Sequence, residues 1–435
     1  MTSKNAIQAE GILRFPLEEK QFVFSYKKVV IMKKTLAAVA VLGAFAGSAL
    51  AADVTLYGKV DLGLQYVNSD VDQITNAETL ATESVKSDKM AVKSGNNSGS
   101  RWGIKGSEQI SEGLTVGFQL ENGFTADDGK IAQNGGIFGR EARLYIQTDF
   151  GELAFGRMGG LESGAGSYDI ISKGYALSTG WGDSIGKSGN IFLGESSRFD
   201  NMITYKSPTF AGVTVYAQAS LQKTSNATEE EGSSDTDRYY ALGATGNWGA
   251  LSSALVFSTT DYSRTWVNGP EGKDDAKVQG REDMSKVVTG YVSYDFGMVK
   301  PMLSAQYFDD VKGATWSNDL GFEVDGETPK KLGWDDYSKK GYGVMLGATA
   351  PLGSGTLYAM VGYADYETTE PIGDKKVEFD AMNFGLGYQY PLSKRTYVYT
   401  AAGYTKINAE WAKGDYKLDA DNQTTEVVAG IVHNF

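Results

Sequence analysis

Two sets of residues in this sequence could do chemistry. One is its only histidine together with its carboxylates. The other is a series of charged residues that recur at every second position of short segments. His433 is the sole imidazole in 435 residues, and there is no cysteine. A Ser-His-Asp relay or a zinc site would depend on that one terminal side chain, and thiolate nucleophiles, thiolate metal sites and disulfides are excluded. The acidic pairs Asp127-Asp128, Asp274-Asp275 and Asp335-Asp336 and the run Glu229-Glu230-Glu231 sit in Gly-rich polar stretches without EF-hand spacing. They read as solvated charge rather than calcium ligands or glycosidase carboxylates. The alternating charges carry more. Lys59 and Asp61, Arg101 and Lys105, Glu121, Glu141 and Arg143, and Arg198, Asp200 and Thr204 each fall on the polar side of a two-residue repeat. Charges of both signs facing a water-filled space set up a transverse field that sorts solutes by charge and dipole.

The elements that must position those charges are strands. Val54, Leu56, Val60, Leu62 and Leu64 alternate with Thr55, Tyr57, Lys59, Asp61 and Gly63. Leu114, Val116, Phe118 and Leu120 alternate with Thr115, Gly117, Gln119 and Glu121, and Ala142, Leu144 and Ile146 with Glu141, Arg143, Tyr145 and Gln147. A period of two gives one apolar and one polar face. The segments run to about ten residues, enough to cross a bilayer at a steep tilt. By the same rule Trp102 and Ile104 face away from Arg101 and Lys105, and Arg157 falls on the outward face.

The turns are of two kinds. Tight ones are expected at Asp149–Gly151, Ser207–Gly212, Asn247–Gly249, Asp295–Gly297, Pro351–Gly353 and Pro391–Ser393, each with a large apolar residue beside Gly, Pro or Asn. Long polar loops are expected at Asn68–Ser98, Lys223–Asp237, Tyr262–Ser285, Asp309–Lys340 and Lys406–Gln423. Short turns at one end and long loops at the other is the asymmetry of barrels that span a membrane. Only a closed barrel satisfies every backbone N–H and C=O of strands in lipid. The predicted fold is therefore all-β, a transmembrane antiparallel barrel of about 16 strands, wide enough for an aqueous lumen.

The chain ends agree. Met32-Lys33-Lys34, the apolar run Leu36–Ala46 and the close Ala49-Leu50-Ala51 follow the order of a secretory signal peptide. Cleavage is expected after Ala51, residues 1–31 are expected to be a non-structural extension, and residues 52–435 form one domain. Removing residues 1–51 takes away seven Lys/Arg and three Asp/Glu and leaves a net charge of −17. With no basic cluster to meet phosphates, a nucleic-acid partner is excluded. No cofactor is expected. The terminal Phe435 suits an aromatic anchor at a membrane interface.

Several stretches, in order, resemble the Gram-negative general porins of neisserial and Burkholderia type. They are Val54-Thr55-Leu56-Tyr57-Gly58, Ser100–Glu108 with Phe118-Gln119-Leu120-Glu121, Arg140-Glu141-Ala142 leading to Phe155-Gly156-Arg157, Arg198-Phe199-Asp200-Asn201 with Tyr205–Pro208, and His433-Asn434-Phe435. The resemblance implies a passive diffusion channel for small hydrophilic solutes and ions in the outer membrane of a Gram-negative bacterium. It implies a homotrimer embedded in outer-membrane lipid and lipopolysaccharide, with the third extracellular loop folded into the lumen. That loop would be about Met158–Ser197, with Glu162, Asp169, Asp183 and Glu195 set against Lys173 and Lys187. Across from it, Arg101, Lys105, Arg143 and Arg198 are expected to form a basic wall facing Asp169, with Lys59, Glu121 and Asp200 also lining the pore, which points to a weak anion preference. A substrate-specific channel is the alternative, left open by Tyr168 and Tyr175. A barrel-borne enzyme finds little support in one terminal histidine.

Overall fold

The computed structural model describes residues 54–435 apart from 77–80, 165, 179, 186–190, 195–196, 226–230, 234–235, 264, 268–276, 280–282, 313–321, 326–327, 332–336, 372–374 and 414–415. The expected extension and signal, and Lys187 and Glu195, lie outside the described residues. The strands, in chain order, are β1 (Thr55–Asn76), β2 (Ala81–Ser94), β3 (Arg101–Ser111), β4 (Leu114–Gly123), β5 (Glu141–Thr148), β6 (Gly151–Gly159), β7 (Arg198–Lys206), β8 (Val213–Ser220), β9 (Arg238–Trp248), β10 (Leu251–Asp261), β11 (Thr265–Val267), β12 (Lys277–Gln279), β13 (Lys286–Tyr294), β14 (Lys300–Val311), β15 (Phe322–Asp325), β16 (Thr328–Lys331), β17 (Lys339–Leu352), β18 (Gly355–Thr368), β19 (Glu378–Pro391), β20 (Thr396–Lys413) and β21 (Tyr416–Asn434). The pairs β11–β12 and β15–β16 are small hairpins of their own, and the other strands form one 17-stranded sheet.

Seventeen strands make sixteen wall positions, because β2 and β3 share one. Both pair with β1 at different heights: Leu62↔Ser94 upward for β2, Thr55↔Lys105 to Lys59↔Arg101 for β3. Residues 95–100 interrupt the descending strand between them. The last strand closes on the first from Lys59↔Asn434 to Val71↔Asn422, antiparallel like every other pairing in the wall. Phe435 and Gly58 exchange backbone hydrogen bonds (3.0 and 3.1 Å) that lock the two ends together.

Alternation sorts the side chains as expected. Leu56, Leu64, Leu144, Phe155, Leu255, Leu303, Leu346, Val361, Phe384 and Ile431 stand exposed on the outside, while Asp61, Gln65, Glu141, Thr289, Gln306 and Glu426 are buried on the inside. A polar residue turned outward at mid-membrane would cost about 2–4 kcal/mol for a cation, so the pattern fixes which face meets lipid. The tight turns carry apolar tips: Phe150 and Phe210 are both 84% exposed, the most of any large apolar side chain described. Such tips suit the headgroup level.

Two expected loops are strand instead. Residues 68–76 and 81–94, and 406–413 and 416–423, continue as the tops of β1–β2 and β20–β21. In the first, apolar alternation fails because both faces of β2 meet water; in the second, Ile407, Ala409, Trp411, Leu418 and Ala420 keep the alternation and are buried. The ladder continues on polar cross-strand pairs such as Ser69–Ser87 (2.8 Å), Lys86–Asp70 (3.4 Å) and Lys406–Asp421 (2.9 Å).

The seam depends on close approach. Gly63 opposes Gly430, and the Tyr399 phenol lies over both. A Cβ on Gly430 would sit 2.4 Å from Tyr399 Oη and 2.7 Å from the Leu62 carbonyl. Ring cover of paired strand glycines restores packing that the missing side chains forgo. Gly430→Leu is therefore expected to lower the yield of folded barrel severalfold, read as loss of the heat-modifiable band on a gel run without boiling. Wild-type yield would show that the seam tolerates the added side chain.

Candidate functional site

The segment between β6 and β7, residues 160–197, is tied to inward-facing side chains around the wall. The Glu162 carboxylate accepts from Ser258 Oγ of β10 (2.6 Å) and from Thr289 Oγ1 of β13. Ser304 Oγ of β14 donates to the Gly174 carbonyl (2.8 Å), and Gly194 N donates to Gln306 Oε1 (2.9 Å). On the far side the Glu426 carboxylate of β21 accepts from Asp183 N (2.9 Å) and Ser184 N (2.6 Å), and also from Gln65 Nε2 (2.6 Å). Leu177, Trp181, Ile185, Ile191 and Phe192 of the segment are buried in one cluster with Met302, Met345, Met360 and Tyr399 of the wall. Irregular backbone at this depth is allowed because it meets protein and lumen water, not lipid.

A second inward feature comes from the wall. At the interruption between β2 and β3, the buried Asp61 carboxylate accepts from Asn97 N and Ser98 N (both 2.7 Å) and from Tyr399 Oη (2.7 Å). Gly182 N of the loop donates to the Asn96 carbonyl (2.6 Å), so loop and interruption touch.

Between these features lies a cavity of about 790 Å³. Arg101, Arg140 and Arg198 line one part, Asp169 and Lys173 come from the loop, and Lys300 of β14, Tyr358 of β18, Gln389 of β19 and Tyr397 of β20 complete the lining. Glu121 serves two of the arginines: Arg140 Nε at 2.7 Å and Arg101 Nη1 at 3.7 Å. Among the described residues no carboxylate oxygen lies within 4 Å of the Arg198 guanidinium. Lys59 Nζ donates to Ser98 Oγ (3.2 Å) beside this group. Asp169 is held by the Ser172 hydroxyl and by Gly164 N (3.2 Å). Burial pushes its carboxyl above the usual range, and those hydrogen bonds oppose the shift.

The other expected pore residues sit elsewhere. Lys105 lies lower on β3, exposed, over the Tyr57 ring (5.3 Å). Arg143 is neutralised by Glu141 (3.0 Å) and Glu152 (3.2 Å), donates to Tyr168 Oη (2.6 Å), and so fastens the loop to β5 and β6. Asp183 pairs with Lys93 and accepts from Gln65 Nε2 (2.9 Å). Asp200 does not follow Thr204. A register shift between Gly156 and Met158, with Gly156 at φ +127° and Asn201 at φ +51°, inserts a bulge. The bulge changes parity, so Phe199 turns into the buried interior, and Asp200 pairs with Arg157 (2.6 Å). A Cβ on Gly156 would lie 2.1 Å from the Ala142 carbonyl, which is why glycine stands there. Sequence reasoning did not single out Arg140 or Lys300. Arg140 precedes β5, beyond the reach of alternation. Lys300 shares an inward face with Met302, Ser304 and Gln306, a signal that was available.

A closed sixteen-position antiparallel barrel, apolar outside and charged around an internal cavity, is an outer-membrane channel. The chain belongs to the Gram-negative porin family, whose family model matches residues 37–434. It is 32% identical over 429 residues to an outer membrane porin protein of Bordetella pertussis, covering 93% of this chain and 100% of that one. Its fold is similar to that of an anion-selective porin from Comamonas acidovorans (TM-score 0.55, 23% identity, 88% of this chain and 100% of that one). It is also similar to the trimer form of OmpT from Vibrio cholerae (TM-score 0.52, 14% identity, 88% and 100%). The protein is a porin of the outer membrane, a passive diffusion channel.

Glu426 holds the loop tip through several backbone N–H groups at once. Glu426→Ala is expected to leave a folded barrel whose single-channel current is noisier than the wild type's. A quiet channel of unchanged conductance would show that the tip is held without it.

Proposed function

We propose that this porin passes small hydrophilic solutes with a weak preference for anions, through a pore bounded by Arg101, Arg140 and Arg198 on one side and the β6–β7 loop on the other. The observation that carries the reading is Arg198, a guanidinium at the cavity with no carboxylate within 4 Å among the described residues, next to two arginines that share one glutamate. The acidic net charge does not decide the matter. Many acids are paired in or near external segments, as Asp309 is with Lys340 and Asp421 with Lys406. Loop charge is screened over about 8–10 Å at physiological salt.

The same reading includes a homotrimer in outer-membrane lipid and lipopolysaccharide, supported by the trimer form of a protein with this fold. Residues 32–51 act as the export signal, supported by their charge and apolar order. A catalytic role finds no support at His433, which bonds Thr396 Oγ1 (2.9 Å) at the tight-turn end of the β20–β21 pair.

Reversal potentials across a planar bilayer in a KCl gradient test the preference. Chloride is expected to be favoured, more strongly near 0.1 M than near 1 M salt, since the screening length falls from about 10 Å to about 3 Å. The double variant Arg101→Ser, Arg198→Ser is expected to reduce the chloride-to-potassium permeability ratio severalfold. Cation selectivity of the wild type would overturn the reading. Closure in three equal steps is expected of the trimer.

A further inference from the structure

We infer that the constriction selects aromatic carboxylates, solutes that join one negative charge to a flat ring. The inference rests on the anion-preferring reading above and adds the chemistry of the solute's other end.

The cavity lining is divided. Its cationic part is Arg101, Arg140 and Arg198, with Lys173 and Lys300; its aromatic part is Tyr358 and Tyr397, backed by the buried Trp181. The aromatic part is built rather than incidental. The Trp181 ring sits 5.1 Å from that of Tyr358 and 6.2 Å from that of Tyr399, centroid to centroid. It lies over Gly387, where a Cβ would come within 2.8 Å of the indole. Hydrogen bonds hold the neighbouring rings. Tyr358 Oη donates to Gln389 Oε1 (2.9 Å), Gln389 Nε2 donates to Asn97 Oδ1 (3.1 Å), and Tyr397 Oη donates to the same Asn97 oxygen (2.8 Å). With their hydroxyl protons committed to the protein, these tyrosines offer a solute chiefly ring surface. A plain ion-sorting pore needs charge and water alone, and a held row of rings adds nothing to it.

The cationic part is equally prepared. Arg198 lacks a carboxylate partner among the described residues, and its buried Nε makes no hydrogen bond. Guanidinium groups match the two oxygens of a carboxylate. Rings held beside them supply offset or edge contacts to an aromatic solute, and two such contacts amount to about tenfold in affinity. A cavity of about 790 Å³ accommodates a benzoate-sized anion without closing the water path.

The test uses the full protein in a planar bilayer carrying KCl current, with sodium benzoate, sodium acetate and phenol added separately. Benzoate is expected to reduce the current saturably at concentrations about tenfold below acetate, with phenol weak because it lacks the charge. Tyr358→Ser with Tyr397→Ser is expected to bring the benzoate and acetate half-blocking concentrations together. Arg198→Gln is expected to weaken both anions. Equal action of benzoate and acetate on the wild type would overturn the inference without any variant, as would a double variant that keeps the tenfold gap. Cation selectivity, or the absence of a KCl current, would instead sink the reading beneath it, and the two failures are distinct.

Discussion

Everything in this molecule follows from one requirement: backbone amides placed in hydrocarbon must find partners within the chain. Strands meet it only when the last pairs with the first, and the β1–β21 ladder does so over thirteen residue pairs from Lys59↔Asn434 to Val71↔Asn422. Once the ring is closed, the period of the strand allows two environments at membrane depth. Side chains such as Leu144 and Phe384 meet lipid, and side chains such as Asp61 and Glu426 meet the interior. The crowded glycines at the seam and the phenol that covers them show how little slack the closure leaves.

Closure also makes buried charge affordable. Inside the ring, carboxylates serve as fasteners: Glu162 and Glu426 grip the loop, Asp61 grips the interrupted wall, and Glu141 and Glu152 neutralise Arg143. Arg101, Arg140 and Arg198, with one glutamate between the first two, line the cavity. The division of labour rests on geometry. Acids whose lone pairs are filled by backbone N–H groups are structural, whereas a guanidinium without a carboxylate keeps its donors for another acceptor.

Much of this was legible in the sequence, because a two-residue period states directly which side chains share a face. Arg101 with Lys105 and Glu141 with Arg143 required nothing more, and the tight turns announced themselves through Phe150, Phe210 and Phe296. Depth and partnership were not legible. Alternation cannot tell that Lys105 sits below the cavity or that Arg143 is spoken for by two glutamates. It also fails at a bulge, where one extra residue reverses parity, and that separated Asp200 from Thr204. Residues 81–94 looked like a loop because a strand wetted on both faces has no apolar repeat to betray it, whereas in the other stretch the repeat of Ile407, Ala409, Trp411, Leu418 and Ala420 was there to be read among the polar residues. Arg140 lay just outside a strand, where no rule of faces applies.

The interruption at residues 95–100 has a bearing on how such a protein can vary. The tip of the β6–β7 loop docks on it through Gly182 N and the Asn96 carbonyl, and it is itself clamped by Asp61 and Tyr399, residues of the barrel staves. The cavity is thus framed by the β6–β7 loop and the staves rather than by the long outer hairpins. Those hairpins can therefore change in length and composition without touching the residues that line it.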